Sequence, residues 1–375
     1  MSQPVKIERR SGDAIDTVVL VREGIAEATI TARADGAGLT ELLGKAWAEV
    51  QALGAQILRQ DVFGTPAQRR SASDILADIC GSVDWPVTWL EEGDSLGERL
   101  TGTHIYTVSG PKVKRLGYGG QIAGSIFSDD HAEYCYIGGV VGPDLQGDRR
   151  QQARDVFERI ETILGLAGMS FGNVIRTWLY VDRILNWYDD FNAVRTKFFE
   201  ERNVFGNLVP ASTGIGGGNL HGTAIVADAL AVRPLQGVGR TRIDEVISPL
   251  QCPATNYRSS FSRAVELVAS DHRRLYVSGT ASIASGGETA HVGDVAAQIN
   301  RTLDVVQAIL ESRDMGWSDV SRATAYVKHG GDAKAYHEAL GGRGIAALPV
   351  VLTENNICRE DLLFELEVDA LKSVS

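Results

Sequence analysis

Three stretches of this sequence repeat one another in the same order, and that repetition limits the possible folds more than any other feature. The segment MSFGNVIRTWLYVD from Met169 recurs as MGWSDVSRATAYVKH from Met315, so that Val174, Arg176 and Tyr180 match Val320, Arg322 and Tyr326. Upstream, YIGGVVG from Tyr136 mirrors YVSGTAS from Tyr276; downstream, VADALAV from Val226 mirrors LEVDALK from Leu366. A fainter copy lies near the N-terminus, where LTGTHIYTV from Leu100 answers LHGTAIVAD from Leu220 and Pro86 answers Pro210. Copies spaced by roughly 120 to 140 residues are too long for a solenoid repeat, so each is expected to be a small domain. The expected divisions are residues 1–110, 111–238 and 239–375.

With 375 residues, 44% hydrophobic and 23% charged, the chain has enough apolar material for two or three cores. A formal net charge of -11 disfavours nucleic acid and anionic membranes as partners, because both attract basic surfaces. An anionic small molecule needs only a local arginine cluster and stays open. The N-terminal residues lack an apolar signal core and no run approaches 18 apolar residues, so a cytoplasmic protein is expected. The four cysteines, Cys80, Cys135, Cys252 and Cys358, are far apart, and the seven histidines show no HxH or HExxH grouping. Neither a disulfide nor a metal is expected, and no cofactor.

One copy reads as a β-α-β-α-β-β unit. EYCYIGGVVG is a buried strand. In the following helix Val156, Ile160, Ile163 and Leu164 share a face, and Gly165 or Gly168 can end it. NVIRTWLYVD is a β-branched and aromatic strand; WYDDFNAVRTKFFEE is a second helix burying Phe191, Val194 and Phe198; PASTGIGG and GTAIVADALAV close the unit. In the third copy the long helix is expected over Val295–Ser312. The fold class is α+β: three such units forming an internal pseudo-trimer, with the N-terminal unit degenerate and sites in the clefts between units.

Taken together, RTWLYVDRILNWYDDFNAVR, PASTGIGGGNLHGTA, NYRSSFSRA, SGTASI and CREDLLFELEVDA resemble the Rid (YjgF) fold, and the fused copies resemble the chorismatases, most closely the 3-hydroxybenzoate synthase branch. The resemblance covers residues 100 to 372 well and the first hundred poorly. It implies a cofactor-free monomer that acts on chorismate, releases pyruvate and supplies a starter unit for secondary metabolism. It also implies that Glu365 is the acid that protonates the enol-ether methylene, that Cys358 lies seven residues before it, and that Gly279 is the small residue of the SGTAS strand. Deaminating Rid proteins carry an arginine right after their Pro-Ala pair. Here Ser212 follows Pro210-Ala211 and Val350 follows Pro349, which argues against enamine deamination.

Protonating carbon needs a carboxyl group kept neutral near pH 7, and burial beside other carboxylates supplies that. In FELEVD, Glu365, Glu367 and Asp369 alternate onto one strand face. Glu367 remains a second candidate for the acid, and a solvated edge strand is the structural alternative. Cys358 is either a site residue or a packing thiol. The two substrate carboxylates call for arginines, with Arg195 and Arg263 as candidates. Tyr188 stands two helical turns before Arg195; Tyr257 can offer a hydroxyl. Arg195 has the alternative of an ion pair with Asp189 or Glu200. Thr213, in STGIGGG, can donate to an anionic oxygen. Arg176 and Arg322, being repeated, are assigned a shared structural role. The other readings are a hydrolytic chorismatase that yields a dihydroxycyclohexadiene carboxylate, and a Rid-like protein that binds a metabolite without turning it over.

Overall fold

The computed structural model describes residues 5–374 apart from 13, 35–37, 66–68, 92, 94–101, 236–240, 258 and 346–347. The expected division at 238/239 lies outside the described residues. Three six-stranded mixed sheets follow one after another along the chain. The first holds β1 (Lys6–Ser11), β2 (Ile15–Arg22), β3 (Ile25–Arg33), β4 (Gln56–Gly64), β5 (Val87–Glu91) and β6 (Gly102–Ser109), with helices α1 (Leu39–Ala52) and α2 (Arg69–Cys80). The second holds β7 (Lys114–Tyr118), β8 (Gln121–Ser128), β9 (Ala132–Val140), β10 (Val174–Val181), β11 (Ala211–Gly216) and β12 (Ile225–Pro234), with α3 (Arg149–Leu166) and α4 (Tyr188–Glu201). The third holds β13 (Arg242–Val246), β14 (Ala264–Val268), β15 (His272–Ala281), β16 (Val320–Val327), β17 (Val350–Glu354) and β18 (Phe364–Ser373), with α5 (Val295–Glu311) and α6 (Ala333–Gly342).

Strand order is the same in each: 1-2-3-6-4-5, 7-8-9-12-10-11 and 13-14-15-18-16-17. Each unit therefore opens with two strands that the β-α-β-α-β-β reading lacks. Short, charged stretches such as KRLGY and RIDEV give little strand signal until a neighbour pairs with them. The N-terminal unit, faint in sequence, is complete in topology.

Helices cover one face of each sheet, as their apolar stripes require. In the second unit Phe157, Phe171, Phe191, Phe198 and Phe199 form one aromatic cluster under α3 and α4, each ring contributing about 1.5–3 kcal/mol by its burial. The opposite faces turn toward one another and share a core that takes Phe63 and Tyr106 from the first unit, Trp178 and Tyr180 from the second, and Tyr276 and Tyr326 from the third. Open sheet edges are closed by neighbours: Glu91 bridges to Gly218, Ala211 to Ser262 and Gly216 to Asn356. Among the described residues no helix is long and apolar enough to cross a membrane.

The ladders also correct two of the repeat pairings. A bulge before Arg59, Arg176 and Arg322 falls at the same place in all three units, opposite Tyr106, Leu230 and Asp369. From there Phe63, Tyr180 and Tyr326 lie opposite Gly102, Val226 and Glu365. Val226 thus corresponds to Glu365 rather than Leu366, and Gly102 to Val226 rather than to Gly222. A one-residue slip inverts every side chain of a strand, and only the cross-strand hydrogen bonds forbid it.

Candidate active site

β18 is a central strand, flanked by β15 and β16, so its alternating acids do not face solvent. Glu365 is 5% exposed, Glu367 0% and Asp369 6%. The edge-strand alternative is therefore excluded. Burying three carboxylates on one face requires cations, and those come from the repeated arginines. Arg176 donates to Glu367 Oε2 at 2.7 Å, and Arg322 bonds Glu367 Oε1 and reaches Asp369 at 3.4 Å. Arg59 occupies the same position in the first unit, 2.7 Å from Asp61, its guanidinium 3.9 Å over the Trp178 ring. All three arginines are fully buried. The shared role expected of Arg176 and Arg322 exists, and it includes holding Glu367, which the repeat alone did not indicate.

Glu367 is further bonded by the Thr213 hydroxyl and by Thr324 at 2.9 Å. Burial alone would raise its pKa, but Arg322 and Arg176 outweigh burial and hold it at about 2. Glu365 meets the reverse balance. Burial, then the charge of Glu367, push it up to about 8, against the weaker pull of Arg176 and Arg263. Among the described residues no hydrogen-bond donor reaches its carboxyl. At neutral pH the pair holds one fixed anion and one protonated acid.

Gly279 lies against that acid. A Cβ built there would stand 2.0 Å from Glu365 Oε1, so any other residue would push the carboxyl group out of this orientation. Thr213, expected to address an anionic oxygen, donates to the oxygen of Glu367 while accepting from Arg176 at 2.7 Å and from the Gly279 N–H at 3.1 Å.

Glu365 opens into a small chamber of about 40 Å³ between the second and third units, lined also by Tyr188, Tyr257, Arg263, Gly279 and Cys358. That volume holds only one or two waters. Tyr188, Tyr257, Ser259, Cys358 and Arg359 also line an outer groove of about 980 Å³ that runs along α4. The chamber is thus the inner end of a cleft large enough for a ten-carbon molecule. Arg263 donates twice to the Cys252 carbonyl, at 3.0 and 2.9 Å, under the Tyr257 and Phe261 rings, and forms no ion pair with a described carboxylate. Burial and the nearby Glu365 push the Cys358 thiol up to about 12, so it stays protonated.

Arg195 is placed differently from the expectation. It is buried and donates to Asn192 at 2.5 Å, with Phe191 and Phe261 against its guanidinium. It pairs with neither Asp189 nor Glu200. It lines neither the chamber nor the groove, but stands behind Tyr188 and Cys358, and burial lowers its pKa.

The histidines show one grouping that spacing did not indicate. Asp271 lies between His131 Nε2 at 2.9 Å and His272 Nδ1 at 2.6 Å. Arg274 donates to His272 Nε2 at 3.2 Å, so the proton of that ring is on Nδ1 and goes to Asp271. Asp271 bridges the two rings, while the buried His131 Nδ1 has no hydrogen-bond partner among the described residues.

Comparison with known proteins agrees with this architecture. Residues 130–226 and 254–370 match the Endoribonuclease L-PSP family. A chorismatase of Streptomyces rapamycinicus is 29% identical over 257 residues, 62% of this chain and 73% of that protein. A 3-hydroxybenzoate synthase of Streptomyces hygroscopicus is 27% identical over 280 residues, 66% of this chain and 76% of that protein. A chorismatase crystal structure superposes with a TM-score of 0.62 at 22% identity, covering 84% of this chain and 92% of that one; it shows the common fold.

Proposed function

Because this chain belongs to the Endoribonuclease L-PSP family, among its chorismatase members, we propose that it is an enzyme acting on chorismate and that its products are 3-hydroxybenzoate and pyruvate. The observation that carries this reading is the placement of Glu365 at the inner end of a single cleft, two residues from a Glu367 clamped by Arg176 and Arg322, which leaves the two carboxyls oppositely shifted. Enol-ether cleavage needs a carboxylic acid that is still protonated at neutral pH and meets no competing donor or acceptor. Glu365 has both properties.

In the proposed reaction the Glu365 O–H gives its proton to the methylene carbon. The ring carbon–oxygen bond then breaks as the neighbouring ring hydroxyl oxygen bonds to that carbon, and pyruvate leaves as its keto form. The hydroxyl proton returns to the Glu365 carboxylate. The epoxide opens, the ring loses a carbon-bound proton and aromatises. Substrate and products are isomeric, so no water is consumed. Arg263 is assigned to a substrate carboxylate, with Tyr188 and Tyr257 as hydroxyl donors at the junction of chamber and groove. Cys358 and Gly279 fill the walls and keep the chamber too small for a second reactant. Arg195 is assigned to positioning Tyr188, and Thr213 to positioning Glu367.

The test is to incubate the purified protein with chorismate, separate the products by chromatography, and repeat with Glu365→Gln. Equimolar 3-hydroxybenzoate and pyruvate, lost in the variant, is the expected result. The diene diol in place of 3-hydroxybenzoate would make it a hydrolytic chorismatase. Binding without pyruvate release would leave a metabolite-binding protein.

A further inference from the structure

The repeat places a second cleft between the first and second units, and it keeps the frame of the candidate active site. Thr88 donates to Asp228 at 2.6 Å, the Gly139 N–H meets Thr88 at 2.8 Å and Asp228 at 2.9 Å, and Arg59 lies 3.9 Å from Asp228. These four stand where Thr213, Gly279, Glu367 and Arg176 stand in the other cleft. Two chemical positions differ. Val226 replaces Glu365, as the ladder opposite Tyr180 and Tyr326 shows. Ala123 replaces Arg263, because Gly124 pairs with Ile137 as Ala264 pairs with Val277.

This cleft is nonetheless open. Two cavities of about 640 and 180 Å³ share Tyr118, Gly119, Gln121, Gly139 and His221. Trp85 and Leu220 line the larger and Arg159 the smaller. In a chain of net charge -11 no carboxylate lines either cavity among the described residues. Arg159 donates one N–H to the Val141 carbonyl at 2.8 Å, lies 5.5 Å over the Tyr118 ring, and forms no ion pair with a described carboxylate. Burial lowers the His221 pKa, leaving a neutral ring that can donate or accept. An unpaired guanidinium, aromatic walls and a glycine floor, with Asp228 held behind that floor by Thr88, the Gly139 N–H and Arg59, suit a flat ring bearing one negative charge.

We propose that the cleft between the first and second units is a second, non-catalytic binding site for a small aromatic monocarboxylate, its ring on the Gly139 floor beside Tyr118 and Trp85 and its carboxylate on Arg159. Lacking an acid at position 226, it binds without turnover. The compound released by the proposed reaction is of this class, so the site would sense product; that consequence rests on the proposed function, whereas the binding does not.

The test is calorimetric titration of the full chain with benzoate and 3-hydroxybenzoate, with benzylamine as the cationic control. Arg263→Ala removes carboxylate binding in the catalytic cleft. In that variant one benzoate per chain is expected to bind, benzylamine is not, and adding Arg159→Gln weakens benzoate about tenfold or more through loss of a charge-assisted contact. Arg159→Gln in the otherwise unchanged chain removes one of two binding events and leaves pyruvate release at low product unchanged. Absence of benzoate binding in Arg263→Ala, in protein whose circular dichroism and melting match the parent, would overturn the proposal. So would benzoate binding indifferent to Arg159→Gln. Failure of chorismate turnover would count against the catalytic reading alone.

Discussion

Glu365 and Glu367 stand two residues apart on one face of β18, and their carboxyls lie on opposite sides of neutrality. Glu367 is clamped by Arg176 and Arg322, whereas Glu365 faces a cleft with no donor on its oxygens among the described residues. The anion of Glu367 contributes to keeping its neighbour protonated.

Replacing Glu365 with Gln removes the proton donor and little volume. Turnover of chorismate is expected to fall about 10²- to 10⁴-fold, with KM changed far less. Steady-state pyruvate release measures both; a variant within threefold of the parent would exclude Glu365 as the acid.

Activity is expected to decline as pH rises through about 8, where Glu365 ionises. Stability follows the same group. Its folded pKa lies above the unfolded value of 4.5, so its contribution is fully present below pH 4.5 and is lost as pH rises toward 8. Melting curves of the parent should therefore lose ground to those of Glu365→Gln across this window. Parallel curves would show that the carboxyl is not raised.

Glu367→Gln deletes the anion and leaves two buried guanidiniums short of a partner. The cost is expected to be about 3–5 kcal/mol, read by urea denaturation. With Glu367 neutral and the arginines unopposed, the alkaline limb of the rate profile should move to lower pH. A merely structural role predicts lost stability and an unmoved limb.

Gly279→Ala puts a methyl group 2.0 Å from Glu365 Oε1. The carboxyl must turn away, so kcat is expected to fall at least tenfold while overpacking costs about 1–3 kcal/mol. Full activity in this variant would mean that the reacting orientation of Glu365 is not the one described.

Cys358→Ala enlarges the wall of a 40 Å³ chamber. Admission of water is expected to divert part of the product to the diene diol, visible by chromatography. An unchanged product ratio would reduce Cys358 to packing.

Much of the frame is legible in the sequence. The matched Val174, Arg176 and Tyr180 with Val320, Arg322 and Tyr326 announced repeated units, and the stripe of Val156, Ile160, Ile163 and Leu164 marked α3. The opening hairpins are not legible there, because β7 and β13 are short and charged and are strands only through pairing. Arg195 is a candidate because its guanidinium can fork onto a carboxylate, and its spacing to Tyr188 puts the two on one helix face; spacing does not reveal that Phe191 and Phe261 stand against its guanidinium.

By itself the sequence determined that three like units exist and that Glu365, Glu367 and Asp369 share a strand face, because periodicity and local order are properties of the chain. Only the tertiary structure decided which glutamate is ionised and that the first cleft has Val226 where the second has Glu365. Arg176 reaches Glu367 across 191 residues, and Gly102, Val226 and Glu365 become equivalent only through their cross-strand partners. Charge and register are set by neighbours in space, and those neighbours come from other units of the fold.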